Sequence, residues 1–509
     1  MEFYKGVDIS SLLEYEDNGI KMRNASGQSV DGLELCQENG VNSVRLRIWN
    51  EPSRVPETKG YCDLEHTVIL AKRIKEKGMH FLLDFHYSDY WADPGKQRKP
   101  YAWENLSPEE LVQAVYDYTK EVLECLTQEG CQPDMVQVGN EIRSGMLFPD
   151  GEVPNFSQLA RLLNAGIRAV RDVNPEIQVM IHLDQGGKFV FLKEWFDSIM
   201  EAGLLPFDVI GVSFYPFWHG TFIDLKNSLE GLVERYKLPV IVVETAHPWR
   251  RSVDGFVTEE QERIAGFCAG IKEQGEVLEL LMNIVASVSN DMGCGVYYWE
   301  PLVLPMEGQG SWANNMGVLD LDGHVLPGFS KFQFQRKDYS EEYMLQTFDD
   351  LKKKALEEAE AMSRMPVGTN LVKNPTFIEG ETNWMLIKKQ ENIQISINKE
   401  EGYLEVNSNQ NYDFCVCQDV YISRAGKYNL SVQYRGTNTT DCKVLFYGEQ
   451  ICCDTRVRVE KNIYPTDDMW MRYDIEGVEL QEGTLNIGVR LDTPPVMGKI
   501  RKFQLLSVE

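Results

Sequence analysis

No apolar run in this 509-residue chain reaches the roughly 20 residues that a membrane-spanning helix needs. Positive charge is also scarce. With 51 Lys plus Arg against 78 Asp plus Glu, the formal charge is −27, which excludes attraction to nucleic-acid phosphates or anionic membranes and favours a neutral or weakly charged substrate. No signal peptide precedes the first strand, since Met1-Glu-Phe-Tyr-Lys leads straight into it. The expectation is a cytoplasmic chain as written, or a secreted or cell-surface one whose signal was removed. Metal-ligand spacing is missing as well. The 11 cysteines are odd in number, and Cys36, Cys62, Cys125, Cys131, Cys268 and Cys294 are scattered. Cys415-Val-Cys417 and Cys452-Cys453 are too close for zinc-finger spacing, so all are expected to be structural thiols, with no metal and no cofactor. There is no internal repeat and no low-complexity segment, and no protein partner is expected.

What is present is a count of strands. Runs rich in Val, Ile, Leu and aromatics occur at Gly6-Ile9, Ser43-Trp49, His80-Tyr87, Met135-Ile142, Gln178-Leu183, Phe207-Tyr215, Pro239-Thr245 and Gly295-Pro301. Amphipathic stretches such as Asp63-Lys77 and Ser107-Glu129 lie between them. Eight such units predict an α/β fold, a (β/α)8 barrel over residues 1–338, whose site sits at the C-terminal ends of the strands. A charged helical spacer is expected over 339–369. From residue 370 to 509 short alternating strands separated by turns predict an antiparallel β-sandwich.

Two strand tips carry carboxylates, in Val-Gly-Asn140-Glu141 and Val-Val-Glu244-Thr245. Cleaving a glycosidic bond needs such a pair, one to protonate the leaving oxygen and one to attack the anomeric carbon or activate water. A lone Glu is more often an ordinary strand terminus. Arg45, Arg47 and Trp49 alternate on one face of the second strand, so a cation could hold Glu244 as an anion; a structural ion pair is the alternative. Asn140 suits a donor to the sugar 2-hydroxyl. His86, Asp89, Trp91 and Asp93, with Tyr215, Trp218, His219 and Trp299, offer polar groups and aromatic faces for a pyranose ring, although each could serve packing alone.

Longer strings carry a family resemblance. Gly6-Val-Asp-Ile-Ser-Ser, Val44-Arg-Leu-Arg-Ile-Trp49-Asn-Glu-Pro, Asp84-Phe-His86-Tyr-Ser-Asp89-Tyr-Trp91-Ala-Asp93, Gln137-Val-Gly-Asn-Glu-Ile142, Ser213-Phe-Tyr215-Pro-Phe-Trp218-His219, Val243-Glu-Thr and Val296-Tyr-Tyr-Trp299-Glu-Pro301 are similar to glycoside hydrolase family 53, the endo-β-1,4-galactanases. The resemblance implies retaining endo-hydrolysis of galactan or arabinogalactan, with Glu141 as acid/base and Glu244 as nucleophile. It also implies sugar-binding roles for the residues above and for Asp184. Two departures stand out. Relatives read like His-Leu-Asp-Asn-Gly-Trp where this chain has His182-Leu-Asp184-Gln-Gly-Gly-Lys188, losing a stacking platform. The segment Ala246 to Asp254 has too few oxygen ligands for the calcium loop of several bacterial relatives. The C-terminal part, from Asn370-Leu-Val-Lys-Asn-Pro, is similar to carbohydrate-binding modules. Trp384, Tyr412, Trp470 or Tyr473 could form its ligand face, and a purely structural sandwich is the alternative. The competing readings for the barrel are another β-1,4-glycanase (glucanase, mannanase or xylanase) and a non-catalytic sugar-binding protein.

Overall fold

A computed structural model describes residues 2–508 apart from 252–254, 307–309, 364–368, 389–392, 408–411, 437–442, 453–454, 464–468 and 494–496. The chain divides into two compact units, Met1–Asp349 and Asp350–Glu509. No helix among the described residues is long and apolar enough to cross a membrane.

The first unit is a closed parallel barrel. Its strands are β1 (Tyr4–Asp8), β2 (Ser43–Ile48), β3 (His80–Phe85), β4 (Met135–Val138), β5 (Gln178–Leu183), β6 (Val209–Ser213), β7 (Val240–Thr245) and β8 (Gly293–Trp299), with β8 pairing back to β1. Helices between them cover the outside. Their starts follow from local hydrogen-bonding chemistry. Asp63 accepts from the His66 amide to open Leu64–Glu76, and Ser107 forms a reciprocal cap with Glu110 ahead of Pro108–Gln128.

The barrel interior is layered. Tyr4, Leu82, Met135, Met180, Val209, Ile241, Val243, Cys294 and Tyr297 form an apolar layer. Gly6 makes room for it, because a Cβ there would stand 2.1 Å from the Tyr297 ring. Arg45 on β2, Gln137 on β4, His182 on β5 and Glu244 on β7 form a buried polar layer. The helix Glu341–Ser363 begins in this unit, with Met344 and Phe348 buried rather than on the surface.

The second unit is a sandwich of two antiparallel sheets. Its strands are β9 (Met385–Lys388), β10 (Gln394–Asn398), β11 (Tyr403–Asn407), β12 (Tyr412–Ile422), β13 (Gly426–Gly436), β14 (Lys443–Cys452), β15 (Thr455–Ile463), β16 (Met471–Leu480), β17 (Gly483–Thr493) and β18 (Met497–Ser507). One sheet runs β9-β12-β17-β14-β15 and the other β10-β11-β18-β13-β16. Alternate residues such as Leu430, Val432 and Tyr434 on β13, with Phe446, Val489 and Phe503, fill the space between. Trp384 belongs to this core, its Nε1 donating to the Asn374 carbonyl at 2.9 Å, and so is not on a ligand face. Tyr473 packs half-buried against the same core. The Tyr412 side chain lies outside the described residues.

Candidate active site

Strand β4 ends earlier than apolar alternation predicts. Gly139 and Glu141 both take left-handed backbone, φ 83° and 46°, and the chain turns out of the ladder after Val138. A non-glycine residue in that region is strained, which is tolerated where a side chain must be aimed. Here the turn aims Glu141 into the mouth of the barrel. A carboxylate oxygen of Glu141, a ring nitrogen of His182 and a carboxylate oxygen of Glu244 lie within 4.8 Å of one another.

Arg45 organises the floor beneath them. It is 1% exposed, and its guanidinium meets Glu244 Oε1 at 2.8 Å, Asp84 Oδ2 at 2.8 Å and Asp8 Oδ2 at 3.1 Å. It also donates to Gln137 Oε1 at 3.2 Å and Asn140 Oδ1 at 2.8 Å. One buried cation thus joins side chains from β1, β3, β4 and β7. Such a charge is retained only when paired on all sides. Tyr215 adds a hydroxyl to Glu244 Oε2 at 3.2 Å.

The two glutamates differ in their surroundings. Burial raises Glu244, and Arg45 opposes the rise, leaving it at about 7. No cation is among the groups acting on Glu141; burial, Glu244 and Asp184 push it well above the usual carboxylate range, against the Ser213 hydrogen bond that favours the carboxylate. Glu141 therefore holds its proton at a pH where Glu244 has lost its own.

Other residues singled out in the sequence stand in varied positions. Asn140 is fixed, accepting from Arg45 and Gln137 through Oδ1 and donating through Nδ2 to the Ala92 carbonyl at 2.8 Å. That leaves its second amide hydrogen for a substrate hydroxyl. Arg47 turns to Glu300, Ser11 and the Trp91 ring, 4.1 Å from its guanidinium carbon, rather than to Glu244. His86 donates through Nε2 to Asp84 and accepts at Nδ1 from Trp49 Nε1 and the Ala92 amide, so both nitrogens brace the site from below. Asp89 accepts the Glu51 and Tyr101 amides, at 2.8 Å each, and ties its loop down. His219 is buried, with Nδ1 3.0 Å from the Ser213 carbonyl and 3.2 Å from the Tyr215 amide. Asp184 lies 3.2 Å from Arg143 Nε, and its buried Oδ1 has no hydrogen-bond partner among the described residues. Asp93 joins the charges acting on Glu141. The expectation of no calcium in the segment Ala246 to Asp254 falls partly on 252–254, outside the described residues.

The aromatic wall is longer than expected. Trp91 and Trp299 lie 5.7 Å apart between ring centroids, Trp299 and Trp312 4.6 Å, Trp312 and Tyr215 5.8 Å, and Tyr215 and Trp218 5.6 Å. Trp312, which opens the one-turn helix Trp312–Asn315, and Phe256, in a loop, lie 4.8 Å apart and carry no periodic signal in the sequence. Asp8, Asp84, Gln137, His182 and Ser213 also belong to the site, though the sequence motifs do not single them out. Their signal was a polar residue inside an otherwise apolar strand, which demands a buried partner.

Comparison with known proteins follows the same outline. The family model described as Glycosyl hydrolase family 53 matches residues 4–332. An uncharacterised protein in the bgaB 5′ region of Niallia circulans is 43% identical over 346 residues, covering 64% of this chain and 93% of that one. A probable arabinogalactan endo-β-1,4-galactanase A from Aspergillus terreus is 39% identical over 323 residues, covering 62% and 87%. Among solved structures, the Ignisphaera aggregans GH53 catalytic domain matches with a TM-score of 0.62 at 38% identity, covering 67% of this chain and 97% of that one.

Proposed function

Because the chain belongs to glycosyl hydrolase family 53, we propose that it cleaves β-1,4-galactosidic bonds within galactan or type I arabinogalactan, with retention at the anomeric carbon. The similarity to the galactanase from Aspergillus terreus supports the substrate class. The observation that carries the mechanism is the carboxylate pair. Oxygens of Glu141 and Glu244 approach within 4.8 Å, which fits the separation of about 5–5.5 Å in retaining enzymes, whereas inverting enzymes hold their carboxyl groups about 6.5–9.5 Å apart.

In this reading Glu244 attacks the anomeric carbon as Glu141 hands its proton to the departing glycosidic oxygen, and the C1–O bond breaks. A galactosyl ester on Glu244 results. Water then attacks C1, Glu141 takes the proton of that water, and the ester bond opens to return both groups to their starting states. Arg45 and the Tyr215 hydroxyl hold Glu244 ionised for the first step. Asn140 Nδ2 reaches the 2-hydroxyl, and the aromatic wall packs against apolar sugar faces.

The sandwich is part of the same proposal, as a module that retains polymer. Its second sheet supports this. Asn398, Tyr403, Gln433 and Arg501 share its face, with Asn398 paired to Tyr403 and Gln433 paired to Arg501. Trp470 lies over the Arg501 guanidinium at 3.9 Å and 6.0 Å from the Tyr403 ring. The deciding experiment is reducing-sugar release from galactan, arabinogalactan, xylan, mannan and carboxymethylcellulose. Release from the first two alone is expected. Release from xylan, mannan or cellulose instead would favour another β-1,4-glycanase, and no release from any would favour a sugar-binding barrel.

A further inference from the structure

Ser213 ends β6 with its side chain fully buried between the acid/base and a histidine that has no stated task. Its Oγ is 2.6 Å from Glu141 Oε1 and 2.8 Å from His182 Nε2. The hydroxyl has one proton, and both neighbours can accept it.

The protonation of His182 follows from its other side. Nδ1 lies 3.0 Å from Asn140 Oδ1. That atom is the carbonyl oxygen of the amide, because Arg45 donates to it and the amide nitrogen donates to the Ala92 carbonyl. Nδ1 must therefore carry a hydrogen. Burial and the Arg45 charge hold the ring neutral, so Nε2 is a bare acceptor facing Ser213. If Ser213 donates to Nε2, its oxygen is free to accept from a protonated Glu141. If Glu141 is a carboxylate, its charge competes for the same hydroxyl proton, and charge-assisted bonds are about twice as strong as neutral ones.

We propose that Ser213 is a positioning residue whose hydroxyl follows the charge of Glu141, donating to His182 Nε2 when Glu141 is an acid and turning to donate to Glu141 Oε1 when it is a carboxylate. His182, locked as the Nδ1–H form by Asn140, is the second acceptor that makes the turn possible. The inference rests on the acid/base role given to Glu141 above. That role requires Glu141 to change protonation state twice in each cycle, in a half-buried place with no cation among the groups acting on it. A fixed donor would favour only the carboxylate, and a fixed acceptor only the acid. A rotating hydroxyl serves both. The other charged or titratable groups facing Glu141 are Glu244 on β7, Asp184 after β5, Asp93 after β3 and Tyr215 after β6. Arg143 is engaged with Asp184.

The two residues should move the basic limb of the kcat/KM profile on galactan in opposite directions. Ser213→Ala removes the donor to the carboxylate, so Glu141 should keep its proton to higher pH and the limb should rise by about one unit. His182→Asn keeps an N–H near Nδ1 for Asn140 but removes the competing acceptor. Ser213 then donates to Glu141 alone, and the limb should fall. Ser213→Cys, a weaker donor of similar size, should lie between wild type and Ser213→Ala, and covers the case in which alanine does not fold. Limbs that stay in place, or move the same way in both positions, with lowered rates would overturn the proposal and leave a packing role. A wild-type protein inactive on galactan would instead defeat the functional reading beneath it, which is a distinguishable failure.

Discussion

The interiors of the two units are built on opposite terms. The barrel buries Asp8, Arg45, Arg47, Asp84, Asp184, Glu244 and Glu300 around one end of its axis. Between the sandwich sheets the buried side chains are apolar, and among the described residues of that unit no Asp, Glu, Lys or Arg is buried. Its few buried polar groups are amides and hydroxyls, such as Gln418, which donates to the Lys373 and Asn383 carbonyls. Both units are built on β-sheet with ample hydrocarbon elsewhere, so burying charge is not something a β fold requires. Desolvating it is costly. The barrel gathers these charges at the end that holds Glu141 and Glu244, and among the described residues the sandwich keeps none inside.

The contrast can be broken most sharply at the nucleophile. Glu244→Gln preserves shape and removes the attacking charge, so turnover on galactan should fall by about four orders of magnitude or more while oligosaccharide binding persists in calorimetry. A variant with near wild-type rates would remove Glu244 from the chemistry.

Next comes the cost of unpairing. Arg45→Met leaves Asp8, Asp84 and Glu244 without their shared cation and should destabilise the barrel by about 3–5 kcal/mol in denaturant unfolding. Leu404→Ala, at a fully buried site in the sandwich, should cost about 2–5 kcal/mol in that unit by cavity formation. Turnover on short galactooligosaccharides should drop only in the first variant. Loss in both would mean that the sandwich braces the catalytic unit.

A smaller effect is expected from pH. Activity needs Glu244 ionised and Glu141 protonated, so it is lost as pH falls through the Glu244 value and again as pH rises through that of Glu141. With Glu244 raised to about 7, kcat/KM should decline about tenfold per unit below neutrality. A profile flat to pH 5 would show that Arg45 outweighs burial.

The smallest effect belongs to the sandwich face. Trp470→Ala should raise the apparent KM on long galactan a few-fold through lost avidity and leave short substrates alone. The isolated unit should be retarded by galactan in affinity electrophoresis. No retardation by any polysaccharide would return the sandwich to a structural role.

The eight barrel strands were legible because apolar runs alternating with helical periodicity leave few other folds, and Glu141, Glu244 and Arg45 stood out as polar residues at strand tips or on a repeating face. Less legible was anything decided by neighbours distant in sequence. Nothing in the spacing of Ser213, His182 and Asn140 says that they touch; they meet because β4, β5 and β6 are adjacent in the barrel. Arg45 and Arg47 are indistinguishable by alternation, and only the positions of Glu244 and Glu300 assign them different partners. In the sandwich, Trp384 and Trp470 look alike in sequence, yet one fills the core and the other lies on Arg501.

The turn after β5 limits how the groove can be redesigned. The Gly186 and Gly187 amides donate to the Ser213 and His219 carbonyls at 2.9 and 3.1 Å, and a Cβ on Gly187 would stand 2.3 Å from the His219 oxygen. Any side chain at position 187 meets backbone rather than a yielding neighbour, so an aromatic platform cannot be added there while the turn keeps its course. A substitution that narrows the groove on that side therefore has to start from a different position.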